Sequence, residues 1–186
     1  MLDPMSDRLF DAIEFAARAH RGQFRKLTRV PYIVHPLAVA QALIGWGASD
    51  AVVVAGVLHD TVEDTDATLA DIEARFGADV AALVAAVSEP DKALSWEARK
   101  EHTIAALREA PLDALQLVCA DKVDNLRSMA LTLSEEGEEA LWARFKRGRE
   151  AQRWYYGAVA ELVRSRAPDT TWARAYLEVY NRVFPS

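Results

Sequence analysis

AVVVAGVLHDTVEDT, residues 51–65, places the two main features of this chain side by side. Its first eight residues are apolar on every side, which is the pattern of a helix enclosed by others. The run then ends on His59, Asp60, Glu63 and Asp64, an imidazole and three carboxylates within six residues. Ser49 precedes it as a capping type, so length and cap favour helix over strand despite the three valines at 52–54. The reading predicts one central helix over 50–64. On such a helix, at about 100° per residue, His59, Asp60, Glu63 and Asp64 share an arc of roughly 140°. Three clustered carboxylates repel one another, and a divalent cation is the simplest compensation for burying them. For His59 and Asp60 alone, a helix end with exposed acids is the simpler explanation.

Outward from this stretch the pattern stays helical. Ser6 is expected to cap a helix carrying Leu9, Ile13, Ala16 and Ala17 that ends near Gly22. Pro36 suits the first turn of a helix that Gly47 stops. Thr68 and Gly77 bracket the next, 78–87 reads as another, and 88–94 is a polar loop. Ser95 caps a helix to about 110, Pro111 opens one to about 131, and 134–166 reads as one or two helices with a break at Gly148. A last helix covers 171–183. No alternating strand pattern, repeat or low-complexity tract is present. The expectation is all-α: a single compact helical domain over 1–186, with a motif-bearing core at about 16–130 and C-terminal helices at about 134–184 packing on it.

Composition narrows the function classes. With 186 residues and 51% hydrophobic content the chain can bury one substantial core. No apolar run reaches eighteen residues, and the N-terminus lacks a basic patch followed by an apolar stretch, so neither a membrane span nor a secretory signal is expected. Cys119 is the sole cysteine, which fits a reducing cytoplasm. A net charge of −6 argues against general nucleic-acid binding. Two cationic islands stand out against it. One is 18–29, with Arg18, Arg21, Arg25, Lys26 and Arg29. The other is 142–153, with Arg144, Lys146, Arg147, Arg149 and Arg153 against Glu150 alone. They suit a small anionic ligand, or else are solvated helix faces.

Two further stretches bear on the carboxylate cluster. PYIVHP (31–36) sets His35 just before Pro36, and CADKVDNL (119–126) sets Asp121 inside an otherwise apolar helix, with Asn125 on the same face. A carboxylate at Asp121 needs a partner, either a metal or a lysine or arginine. Together His35, His59, Asp60 and Asp121 make two nitrogens and two oxygens, a set suited to manganese, iron or zinc without choosing among them.

HRGQFRK (20–26), PYIVHP, LHDTVEDT (58–65) and CADKVDNL resemble, in order and spacing, the HD-domain hydrolases of the RelA/SpoT type, especially the small stand-alone alarmone hydrolases. The resemblance covers about 16–127 and continues more weakly to about 162. It implies a helical HD fold and one divalent ion, usually manganese. It implies hydrolysis of the 3′-pyrophosphate of guanosine tetra- or pentaphosphate to GDP or GTP and pyrophosphate. On matching positions, His35, His59, Asp60 and Asp121 hold the metal, and Glu63 and Asp64 position and activate water. Arg25 packs on the base, Lys26 meets phosphate, and Asn125 holds ribose or phosphate. Lys100, with Arg99, and Arg147, with Lys146 and Arg149, are further phosphate contacts or salt-bridged faces. Trp154 and Tyr155 lie beside the base or in the core, and His102 fits no motif. Asp124 and Val118 depart from the family, where an aromatic or His and a lysine are common. The departures leave open a phosphatase acting on NADPH or another nucleotide ester. A non-catalytic nucleotide-sensing module is a further alternative, against which the intact Glu63–Asp64 pair argues.

Overall fold

A computed structural model describes the backbone of residues 4–26, 28–89 and 93–185, and side chains from residue 7 onward. Ten helical elements follow in order: α1 (Pro4–Ala19), α2 (Val34–Gly45), α3 (Asp50–Leu58), α4 (Thr61–Asp64), α5 (Leu69–Phe76), α6 (Ala78–Val87), α7 (Trp96–Glu109), α8 (Leu112–Ala143), α9 (Gly148–Arg166) and α10 (Thr171–Val183). Among the described residues the one β feature is an isolated bridge between Phe24 and Pro31. The all-α expectation holds. Two compact units, Met1–Val118 and Cys119–Ser186, divide within α8.

In the first unit α3 packs against α1, α2 and α6. Val52, Val53, Val54, Val57 and Leu58 are all buried. Valine disfavours helix by several tenths of a kcal/mol per residue, but burying each side chain contributes about 1.5–3 kcal/mol, so packing wins over propensity. The close approach of α2 depends on Gly56: a Cβ there would lie 2.5 Å from Leu43 Cδ1 and 3.4 Å from Val39 Cγ1. Thr68 and Asp71 form a reciprocal capping box at the start of α5, and Gly77, at φ 87°, ends it. Arg8 of α1 reaches the Phe76 carbonyl and pairs with Asp79 Oδ1 at 2.8 Å. Ser95 Oγ caps α7 by accepting from the Ala98 amide.

The second unit is built around aromatics on α9 and α10. Tyr155, Tyr156, Tyr176 and Phe184 are buried, and Tyr176 Oη donates to the Tyr156 carbonyl at 2.8 Å. Trp142 stacks on Phe184 with centroids 5.6 Å apart.

Three boundaries differ from the sequence reading. The first helix begins at Pro4, so Ser6 lies inside it rather than capping it; proline's fixed φ suits the first helical position. The helix after Pro111 runs on well past 131 and is interrupted at Gly137 (φ 88°, ψ 176°), a break ahead of the one expected at Gly148. The predicted helix over 50–64 is two helices, α3 and α4, separated at residues 59–60.

Candidate metal centre

The interruption at 59–60 sets the site. His59 Nδ1 lies 2.8 Å from the Gly56 carbonyl, and Thr61 Oγ1 donates to the Leu58 carbonyl at 2.7 Å. These are the acceptors the next helical turn would use. Asp60 relaxes to φ −92°, ψ −7°, the bridge region of backbone space. The single-helix arc expected for His59, Asp60, Glu63 and Asp64 is therefore replaced by a turn followed by the short α4. In that turn Asp60 Oδ2 comes within 3.1 Å of His59 Nε2 and 3.5 Å of His35 Nε2. His35 arrives on the first turn of α2, its amide bonded to the Tyr32 carbonyl at 2.9 Å. The two imidazoles are buried and meet edge to face, centroids 5.2 Å apart.

Within the first unit, His35 and His59 thus turn their Nε2 atoms to one carboxylate oxygen, Asp60 Oδ2. On α8, Asp121 accepts from Lys122 Nζ at 2.6 Å and from Asn125 Nδ2 at 2.5 Å. Burial pulls the Lys122 ammonium towards losing its proton, but the charge of Asp121, the phenols of Tyr155 and Tyr156 and the hydrogen bond to Asp121 together outweigh it and hold the group well above the ordinary lysine range. Of the two partners envisaged for Asp121, the structure supplies the lysine.

The other expected residues fall into distinct settings. Glu63 is half-buried and accepts from the Glu89 amide at 2.8 Å; Asp64 is exposed. Glu89 is itself gripped by Lys100 Nζ and lies 3.5 Å from Arg99 Nε, so Lys100 sits in a partly buried ion pair. Residues 20–26 and 28–33 form the two arms of a hairpin closed by Arg25 N to Val30 O, 2.9 Å, and Tyr32 N to Gln23 O, 3.0 Å. Arg25 is half-buried and Lys26 exposed along it. Arg147 is exposed just before α9. Trp154 is exposed, Tyr155 belongs to the core, and His102 is exposed. Val118, at a position where lysine is common in the family, is buried; Asp124 is half-buried. Sequence reading passed over Tyr32, whose hydroxyl donates to Asp60 Oδ2 at 2.6 Å. It also assigned nothing to His20, Gln23 and Glu89. The first three lay inside quoted motifs; Glu89 carried no signal.

Residues 12–149 match the family described as "HD domain". This chain belongs to the HD domain family. Among its relatives is the human guanosine-3′,5′-bis(diphosphate) 3′-pyrophosphohydrolase MESH1, 44% identical over 125 residues, which is 66% of this chain and 69% of the relative. A GTP pyrophosphokinase of Streptomyces coelicolor is 34% identical over 180 residues, 92% of this chain; the HD chain spans only 20% of that relative's length. A solved structure described as a metazoan ortholog of SpoT that hydrolyzes ppGpp superposes with TM-score 0.79 at 28% identity, covering 98% of each chain.

The donor chemistry of this HD domain fits a dication. A carbonyl oxygen only accepts, so the contact to Gly56 assigns the proton of neutral His59 to Nδ1 and leaves the Nε2 lone pair towards Asp60. A lone pair and an anionic oxygen 3.1 Å apart repel unless a cation bridges them or the ring is protonated. One divalent ion would satisfy His35, His59 and the nearby carboxylates together.

Proposed function

We propose that this HD domain hydrolyses the 3′-pyrophosphate of guanosine tetra- or pentaphosphate, releasing pyrophosphate and GDP or GTP. The observation that supports the reading is Asp60 Oδ2 set against the buried imidazoles of both His35 and His59, in a chain 44% identical over 125 residues to a pyrophosphohydrolase. His35, His59, Asp60 and Asp121 would hold one divalent ion, with manganese as the working assignment. Such an ion would lower the pKa of bound water towards neutrality and offset phosphate charge. The water oxygen bonds to the phosphorus carried by the ribose 3′ oxygen as that P–O bond breaks; Glu63 and Asp64 orient the water and take its proton, which passes to the ribose 3′ oxygen as its hydroxyl re-forms. Arg25 presents a planar guanidinium to the purine, Lys26 a compact charge to phosphate, and Asn125 an amide to ribose or phosphate. Lys100 and Arg147 are proposed as additional phosphate contacts, Lys100 by exchanging Glu89 for substrate. Residues 1–186 act as one hydrolase domain in this reading. Among the described residues no helix is long and apolar enough to cross a membrane; a cytoplasmic setting is part of the proposal.

Asp124 adds a negative charge beside Asn125, and the buried Val118 replaces a lysine common in the family. Both features support a second reading, a phosphatase on NADPH or another nucleotide ester. The purified protein, supplied with Mn²⁺, is offered guanosine tetraphosphate, NADPH and ordinary nucleotides in parallel. Pyrophosphate from the first supports the lead, and orthophosphate from NADPH the second. Binding without turnover would make the protein a sensing module and overturn both.

A further inference from the structure

We infer that Tyr32, braced by His20 and Gln23, is a positioning residue that aims the Asp60 carboxylate at the metal position. The inference rests on the metal reading above and deepens it.

Tyr32 Oη donates to Asp60 Oδ2 at 2.6 Å. That oxygen is the one that faces both imidazoles, at 3.1 Å from His59 Nε2 and 3.5 Å from His35 Nε2. A carboxylate on a turn rotates easily about its last bond. A charge-assisted O–H···O bond of this length selects one rotamer, and hydrogen bonds to ligating carboxylates are a general device for orienting them. The phenol ring is placed from two sides. The buried His20 ring lies against it with centroids 4.7 Å apart, and the His35 ring meets it edge-on at 5.9 Å.

Gln23 locks His20. Its Nε2 donates to the Asp64 carbonyl at 2.7 Å, which turns Oε1 to His20 Nδ1 at 2.8 Å. The Gln23 carbonyl also accepts from the Tyr32 amide at 3.0 Å. This hairpin therefore sends two tethers to the 60–64 segment, the Tyr32 hydroxyl to Asp60 and the Gln23 side-chain amide to the Asp64 carbonyl. Asp60 and Asp64 are joined in turn by the Asp64 amide bonding to the Asp60 carbonyl at 2.9 Å. The clamp holds both ends of α4, the helix that carries Glu63. It gives His20, Gln23 and Tyr32 a task distinct from the nucleotide contacts assigned to Arg25 and Lys26.

The test compares wild type, Tyr32→Phe and Gln23→Met. Mn²⁺ affinity is measured by competition with a metallochromic chelator, thermal unfolding by circular dichroism of the metal-free proteins, and kcat and KM separately. Tyr32→Phe keeps the ring and deletes the tether; its Mn²⁺ affinity is expected to fall 10- to 100-fold at unchanged metal-free unfolding temperature. Gln23→Met is expected to lower kcat while leaving KM within about twofold. Wild-type protein that takes up no Mn²⁺ sinks the metal reading and this inference with it. Wild-type uptake with Tyr32→Phe affinity unchanged overturns the inference alone.

Discussion

His59 and Asp60 are neighbours in sequence whose side chains converge: the imidazole Nε2 and the carboxylate Oδ2 are 3.1 Å apart. Successive side chains on an α-helix diverge by about 100°. The convergence exists because α3 stops at Leu58 and Asp60 adopts φ −92°, ψ −7°. The break in the helix turns a surface pair into a possible chelate.

The roles of His59 and Glu63 separate by experiment. His59→Ala is expected to lose both bound metal and activity. Glu63→Gln is expected to keep metal within about tenfold of wild-type affinity while turnover falls about 10²- to 10⁴-fold. Metal content by elemental analysis beside steady-state rates checks both; metal retained in His59→Ala would refute the ligand assignment.

Metal binding must also appear as stability. At a free Mn²⁺ concentration 100 times its Kd, linkage contributes about 2.7 kcal/mol, or about 5–10 °C in unfolding temperature for a chain of this size. Chelator removes the shift, and His59→Ala shows none. Differential scanning calorimetry with and without Mn²⁺ measures it.

Lys100 carries two assignments that kinetics distinguishes. It grips Glu89, whose amide donates to Glu63 at 2.8 Å. If that grip orients Glu63, Glu89→Gln lowers kcat on the order of tenfold with little change in KM. If Lys100 serves substrate phosphate instead, Lys100→Met raises KM and Glu89→Gln leaves kcat alone. The expected outcome is a kcat effect for Glu89→Gln and effects on both parameters for Lys100→Met.

Gly56→Ala would place a methyl 2.5 Å from Leu43 Cδ1. Over-packing of this kind costs about 1–3 kcal/mol. Urea unfolding should show that loss with an unchanged m-value. A neutral result would mean that α2 and α3 separate more easily than their packing indicates.

Asp79 makes an identifiable surface contribution to acid sensitivity. The hydrogen bond from Arg8 holds the Asp79 carboxyl below its ordinary range. A depressed folded-state pKa stabilises above the ordinary aspartate range, and the contribution disappears as pH falls through the folded value. The pair is partly exposed, so its contribution is under about 1 kcal/mol. Arg8→Met should flatten the acid limb of stability against pH below about 4 and leave its neutral plateau lower by that amount.

Legibility in the sequence followed the range of the forces involved. α5, α7 and α10 were readable because Thr68, Ser95, Gly77 and the residues around 171 act on backbone within a few positions. The enclosure of α3 was readable from its unbroken apolar run, and the gathering of His35, His59 and Asp60 from the donor types at those positions. The break at 59–60 was not, because it depends on His59 Nδ1 and Thr61 Oγ1 competing for carbonyls, and no glycine or proline stands at 57–62 to mark it. Gly137 passed unnoticed among glutamates, since an isolated glycine within a helical pattern costs only about 1 kcal/mol. The Tyr32 hydroxyl was invisible because an aromatic next to a proline reads as core until its oxygen is located.

The contact at Gly56 reaches further than stability. Its carbonyl is the anchor of the His59 ring, and hydrocarbon from Val39, Leu43 and Leu117 would surround any Cβ placed there. Methyl groups that touch neither imidazole thus help fix where the His59 ring stands, and the direction of its Nε2 depends on aliphatic volume at residue 43 as well as on the ring's own hydrogen bond.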